Sequence, residues 1–275
     1  MQRIEFGKFE GQVGELRLTR VLYVDIPIAG STVGLGAAEI YTVSWNDERW
    51  SVGDQVMVGA AAWVIKHGDE VIVLDPFQAA DEIFHAPEDA ATHQQAIVAA
   101  FEAAGTPIET VTRVVLTHME GIGLVAARDD ESGMWRPFFP NARVSLSRVS
   151  LENFAVQPFE HFSSDAWNAL IAHCLVDTYS DGDEIVAQMV ARLADGHDPG
   201  HHVFDFGDGP EATFVGHLAI SPLHLSTGPC TQMHADAELA WQQLGALASD
   251  GRLLVGPLWP SSGIGRFVNG TFSAA

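Results

Sequence analysis

The chain of 275 residues carries 36 acidic against 14 basic side chains, a formal charge of −22 at pH 7, with 47% hydrophobic residues and two cysteines. A field of that sign repels phosphate backbones and argues against nucleic acid as a partner. No apolar run reaches the roughly 18 residues that a membrane-spanning helix needs, and Cys174 and Cys230 are too few for a disulfide scaffold, so both are expected to be buried small hydrophobes.

The N-terminus lacks the basic-then-apolar pattern of a secretory signal, which makes a cytoplasmic protein the expectation. In chain order, the first sixty residues are rich in glycine and β-branched residues, and VLYVDIPIAG and IYTVSW read as strands joined by turns. A hairpin follows, with Ala62–Lys66 running out and Val71–Asp75 returning. An amphipathic helix spans Ala90 to Ala104 and is closed by Gly105 and Pro107. Val111–Leu116 is an apolar strand that ends in Thr117-His118, and Phe139–Ser147 is another short strand. Leu151 to Tyr179 is aromatic-rich and helical in part, while Glu184 to Leu193 fits either a helix or a strand. His202–Phe206 and Ala212–Gly216 form a second hairpin around Gly207-Asp208-Gly209. Glu238–Ala248 is a helix and Leu253–Gly256 a late buried strand. The alternation of strands and helices, broken by hairpins, predicts a layered α/β fold. No linker, repeat or low-complexity tract divides residues 1–275, so a single domain is expected.

Histidines and carboxylates recur at strand ends, where α/β folds place their sites. His118 and Glu120 lie two apart just after a strand, so in extended geometry both side chains face one way. His197 sits in Gly196-His197-Asp198-Pro199-Gly200-His201, directly before a strand, and His217 follows the strand that ends at Val215-Gly216. Three imidazoles and a carboxylate suit zinc, iron, manganese, nickel or cobalt. His173, His224 and His234 have no such context and are read as non-ligands.

The order of these landmarks, from about Trp63 to Phe267, resembles the metallo-β-lactamase superfamily, in particular its lactonase and organophosphate-hydrolase-like branch. Thr117-His118-Met119-Glu120-Gly121-Ile122-Gly123 is similar to the family's Thr-His-x-His-x-Asp-His loop. Gly196-His197-Asp198-Pro199-Gly200-His201 is close to its Gly-His-Thr-Pro-Gly-His motif, the most specific of these signals. Gly216-His217 falls where the family has glycine and the bridging aspartate, and Val255–Pro260 resembles the segment of its last histidine. The resemblance implies an αββα four-layer sandwich. It also implies one metal position at His118, Glu120, His197 and His217, every place kept or exchanged for a competent ligand. The second position would need Ile122, Gly123 and Leu258, none of which binds a metal. His201 would be structural, and Asp75 would support the metal loop through hydrogen bonds one step behind the ligands.

These readings predict one divalent ion, zinc or else iron or manganese, and a small-molecule substrate, with a homodimer as a further option. Hydrolysis of a small ester or lactone leads. Because Ile122 stands where the family has its proton-handling aspartate, Glu120 would have to serve as the base if it is not a ligand. Two other classes stay open: a mononuclear oxygenase or lyase on a three-histidine, one-glutamate site, and a metal-free small-molecule binder. Phe154, Phe159, Phe162 and Trp167 are candidates for an apolar lid, with Trp259 on the opposite wall.

Overall fold

The computed structural model describes residues 8–76, 87–119, 125–128, 132–156, 162–173, 175–230 and 232–275. Among these residues, eight strands make a first sheet: β1 (Lys8–Val13), β2 (Leu16–Ala29), β3 (Ser51–Val52), β4 (Gln55–His67), β5 (Glu70–Leu74), β6 (Arg113–Val115), β9 (Arg143–Ser147) and β10 (Val176–Tyr179), in the order β1-β2-β4-β5-β6-β9-β10 with β3 on β4. Seven more make a second sheet in sequence order: β11 (Glu184–Val186), β12 (Met189–Leu193), β13 (His202–Phe206), β14 (Ala212–Phe214), β15 (Leu253–Val255), β16 (Ile264–Val268) and β17 (Thr271–Ala274). A short ribbon pairs β7 (Ala126–Arg128) with β8 (Trp135–Pro137), and among the helices are α3 (Arg148–Val156) and α5 (His224–Thr227).

Three apolar clusters show how the layers stack. Strand side chains alternate between faces, so Trp63 and Ile65 of β4 point inward, with Leu16, Leu18, Ile72 and Leu74, onto Phe204, Phe206 and Phe214 of the second sheet. Ala62 and Val64 point the other way, with Val73, Val114 and Val144, onto Ile97 and Phe101 of helix α2 (Pro87–Ala103) and Trp167 and Leu170 of helix α4 (Phe162–Ala172). On the far side, Ala240, Leu244 and Ala248 of helix α6 (Ala237–Ser249) cover Val203, Val215 and Leu254. The order helix, sheet, sheet, helix is the αββα sandwich expected of the sequence.

The predicted hairpins occur with Trp63 opposite Leu74 and Phe204 opposite Phe214. Glu184–Leu193, which fitted helix or strand, is the β11–β12 hairpin. One expectation fails. IYTVSW is not a strand, because Ala37–Thr42 forms helix α1 and turns follow. Its apolar residues are spaced to bury Ile40 and Val43 while Tyr41 lies exposed, and that satisfies a helical turn better than a pleated strand.

One buried cation fixes the strap after β15. Arg20 on β2 is 1% exposed and donates through Nη1 to the Ser261 carbonyl at 2.6 Å and through Nη2 to the Trp259 carbonyl. Burial lowers its guanidinium to about 10, opposed by Asp25, so it stays cationic at neutral pH. A register shift between Leu22 and Val24 turns Asp25 onto the same face, and both side chains lie over Gly59. A Cβ at Gly59 would meet Arg20 Nη2 at 2.3 Å and Asp25 Oδ1 at 2.9 Å. Gly59→Ala is therefore expected to lower stability by about 1–3 kcal/mol, as overpacking does. Chemical denaturation should show an earlier midpoint with an unchanged slope, and a variant as stable as the parent would contradict this packing.

Candidate metal centre

Strand polarity collects the site on one edge of the sandwich. Strands β5 and β6 run parallel, so Asp75 and Thr117 emerge side by side after Leu74 and Val115. In the second sheet β13 is antiparallel to β14, which puts the segment before β13 beside the segment after β14. His197 occupies the first and His217 the second, within the short 3-10 turn Gly216–Leu218. A bond from His202 N to the Thr117 carbonyl at 2.9 Å ties the two sheet edges together.

His118, His197 and His217 are all buried, each presents a ring nitrogen, and these atoms lie within 4.8 Å of one another. The ring centroids are 4.7 Å apart for His118 and His217, 4.8 Å for His118 and His197, and 5.3 Å for His197 and His217. Three converging buried imidazoles, with no carboxylate among this described set, are suited to hold a borderline divalent ion through neutral nitrogens.

Hydrogen bonds behind the cluster determine which nitrogen faces it. Asp75 adopts a left-handed backbone, φ 40°, a conformation that aspartate tolerates better than most residues. Its Oδ1 accepts from Thr117 N at 2.7 Å and its Oδ2 from the Thr117 hydroxyl at 2.6 Å. The hydroxyl proton is thus committed to Asp75, so Thr117 Oγ1, 2.9 Å from His118 Nδ1, can only accept from that nitrogen. His118 then carries its proton on Nδ1 and turns the lone pair of Nε2 to the cluster, which is how a carboxylate behind a ligand sets its tautomer.

His201 closes the arrangement without joining it. Its Nδ1 donates to the Ala194 carbonyl at 3.1 Å and its Nε2 accepts from His217 N at 3.1 Å. Burial, and after it the neighbouring His118, His197 and His217, hold its pKa well below the ordinary imidazole value. The approach requires glycine at 216, where φ is +54° and a Cβ would stand 2.5 Å from His201 Nε2.

The remaining sequence expectations divide. Glu120 and Phe159 lie outside the described residues, as do Ile122, Gly123 and Cys174 and the side chains of Phe154 and Phe162. Trp167 and Trp259 are not pocket walls: they are 1% and 0% exposed, Trp167 inside the cluster under α4, and Trp259 in the cluster under α6 with its indole N–H on the Ala219 carbonyl at 2.7 Å. Leu258 is buried in that same cluster and its carbonyl accepts from Gly59 N at 2.9 Å. Cys230 is buried, as expected of a small hydrophobe. His173 is exposed and bonds the Ala169 carbonyl at 2.7 Å, and His224 is buried on the Val33 carbonyl at 2.9 Å. His234, read from the sequence as a non-ligand, places Nδ1 3.1 Å from Nδ1 of His197. No helix among the described residues is long and apolar enough to cross a membrane.

No family model and no curated protein matches the sequence. Solved structures do match the fold along nearly its whole length. The chain is similar to AidC, a dizinc quorum-quenching lactonase solved with its product, at 17% identity over 98% of this chain and 97% of that one, with a TM-score of 0.74. It is similar to AbOPH, a hydrolase of the β-lactamase superfamily, at 17% identity over 100% and 99%, TM-score 0.70. A probable metal-dependent hydrolase from Staphylococcus aureus matches at 12% identity over 90% and 91%, TM-score 0.68. The fold is that of the metallo-β-lactamases.

Asp75→Asn offers Thr117 an amide donor in place of the carboxylate acceptor; the hydroxyl then turns its proton toward His118 Nδ1 and strips Nε2 of its lone pair. Zinc affinity should fall by about 10–100-fold, and equal affinity in a chelator competition would refute the tautomer assignment. Burial also lowers the His224 pKa, against its bonds to the Val33 and Ser221 carbonyls. The unfolded chain, with histidine near about 6.5, binds more protons than the folded one, so stability is lost as pH falls below that value. The metal-free melting temperature should drop between about pH 6.5 and 5, and less so in His224→Gln; identical pH profiles for the two proteins would show that His224 contributes nothing.

Proposed function

We propose that this chain, which has the metallo-β-lactamase fold, is a metal-dependent hydrolase that works with one divalent ion, held by His118, His197 and His217, on a small ester or lactone. The observation that carries the reading is the asymmetry of the site. Three buried imidazoles converge within 4.8 Å on one side, while Leu258, at the place of the family's last histidine, is packed among Trp259, Leu218 and Val58.

Zinc is our first choice of ion, with iron or manganese as the alternatives. Three protein nitrogens around zinc leave a fourth position open, as catalytic sites do. A bound ion would supply Lewis acidity toward a carbonyl oxygen and acidify a water. The chain's own residues do the rest. Thr117 and Asp75 keep Nε2 of His118 unprotonated, and His201 holds the backbone of His217 in the turn that aims its ring. Glu120, two residues beyond His118, is the carboxylate we assign either to the open ligand position or to the proton of the attacking water. Phe154, Phe159 and Phe162 are proposed to form an apolar lid, which favours a small, partly apolar substrate over a sugar phosphate. AidC and AbOPH support hydrolysis as the reaction class, since the fold they share with this chain carries it there.

The test is turnover of a panel of lactones and simple aryl esters by zinc-loaded protein. Hydrolysis should vanish on chelation, return with zinc, and fall by about 10²–10⁴-fold in His118→Ala. Metal-loaded protein inert on the whole panel, or hydrolysis indifferent to chelation, would contradict the proposal. Glu120→Gln separates the two roles of that residue. Activity lost with metal retained makes it the base, and activity lost together with affinity makes it a ligand.

A further inference from the structure

Behind His197 stands a second imidazole that no sequence motif marks. The geometry points to His234 as the residue that positions His197 for metal binding, setting its tautomer and ring plane through a bond between their Nδ1 atoms. This rests on the three-histidine reading above and deepens it.

The two Nδ1 atoms are 3.1 Å apart and the rings meet nearly edge to face, with centroids 5.2 Å apart and planes at 81°. His234 stands outside the set of ring nitrogens that lie within 4.8 Å of one another. Between two neutral imidazoles joined nitrogen to nitrogen, one must donate and the other accept. If His197 is to offer Nε2 to a metal, its proton sits on Nδ1 and His234 Nδ1 accepts it, leaving the proton of His234 on Nε2. This matches what Asp75 and Thr117 accomplish for His118, with an imidazole in place of the carboxylate and hydroxyl.

The backbone holds this pair in register. Ala235 N donates to the His197 carbonyl at 3.0 Å and Asp236 N to the Gly196 carbonyl at 2.8 Å, so residues 234–236 are strapped along the loop that carries the ligand. Asp236 in turn caps α6 by accepting from Leu239 N at 3.1 Å. The anchored start of that helix thus fixes where His234 can stand. His234 is half-buried, enough to hold its ring against His197.

The experiment measures zinc affinity by competition with a chromophoric chelator, and the visible absorption of the cobalt-substituted protein, in wild type, His234→Ala and His234→Asn. Asparagine can place its Oδ1 where histidine has Nδ1, so it keeps an acceptor for His197. Alanine should weaken zinc binding by about 10–100-fold and shift the cobalt bands, while asparagine should restore most of the affinity and the wild-type bands. Melting of the metal-free proteins, expected to be alike in all three, separates this from a loss of fold. Unchanged affinity in His234→Ala, or equal losses in the alanine and asparagine variants, would overturn the assignment. So would complete loss of metal in His234→Ala, equal to that in His197→Ala, because it would make His234 a ligand. Wild-type protein that takes up no zinc or cobalt would instead sink the metal centre itself, and this inference with it.

Discussion

The arrangement depends first on Asp75. Its carboxylate takes both the N–H and the hydroxyl proton of Thr117, and from that one commitment the protonation of His118 follows. Thr117 can only accept from His118, and His118 turns a lone pair inward. The Thr117 carbonyl receives His202 N, and the neighbouring His201 receives His217 N. Four strand ends from two sheets are thus joined, with Asp75 assigning the bonds of Thr117 and His118 and the Ala194 carbonyl assigning the tautomer of His201. Short bonds to a charged acceptor are about twice as strong as neutral ones, which suits them to holding a backbone at φ 40°.

The opposite half of the edge is held by different means. Where the resemblance calls for ligands to a second ion, Leu258 faces an apolar cluster, Trp259 bonds the Ala219 carbonyl, and the Arg20 guanidinium grips the Trp259 and Ser261 carbonyls from beneath. A buried cation with two backbone acceptors thus anchors the strap that, in the resemblance, a histidine and a metal would anchor. The contrast between a polar side, where Asp75 and Thr117 set the tautomer of His118, and an apolar surrounding of Leu258 with a fixed guanidinium beneath is what the proposal of a single ion rests on.

Much of this was legible in the chain. Period-two runs around Gly68 and Gly207 are hairpins, His197 of the Gly-His-Asp-Pro-Gly-His segment lies in the three-histidine cluster while His201 bonds the backbone of His217, and Asp75 at a strand end bonds Thr117 beside that cluster. What could not be read depends on tertiary burial. Ile40-Tyr41-Thr42 has strand-forming residues, but burial of Ile40 and Val43, three residues apart with Tyr41 and Thr42 exposed between them, is met by a helical turn. Trp167 and Trp259 have the composition of a pocket wall, yet only the stacking of layers shows that they fill the interior. His234 lies 37 residues from His197, and the backbone bonds that bring the two together leave no spacing signal.

Metal content is the most direct measure of the central claim. Native mass spectrometry of the purified chain after zinc loading and removal of excess metal, with anomalous scattering from crystals to place the ion, should show one ion per chain at His118, His197 and His217. Two ions per chain, or one located elsewhere, or none, would contradict a three-histidine centre built for a single metal.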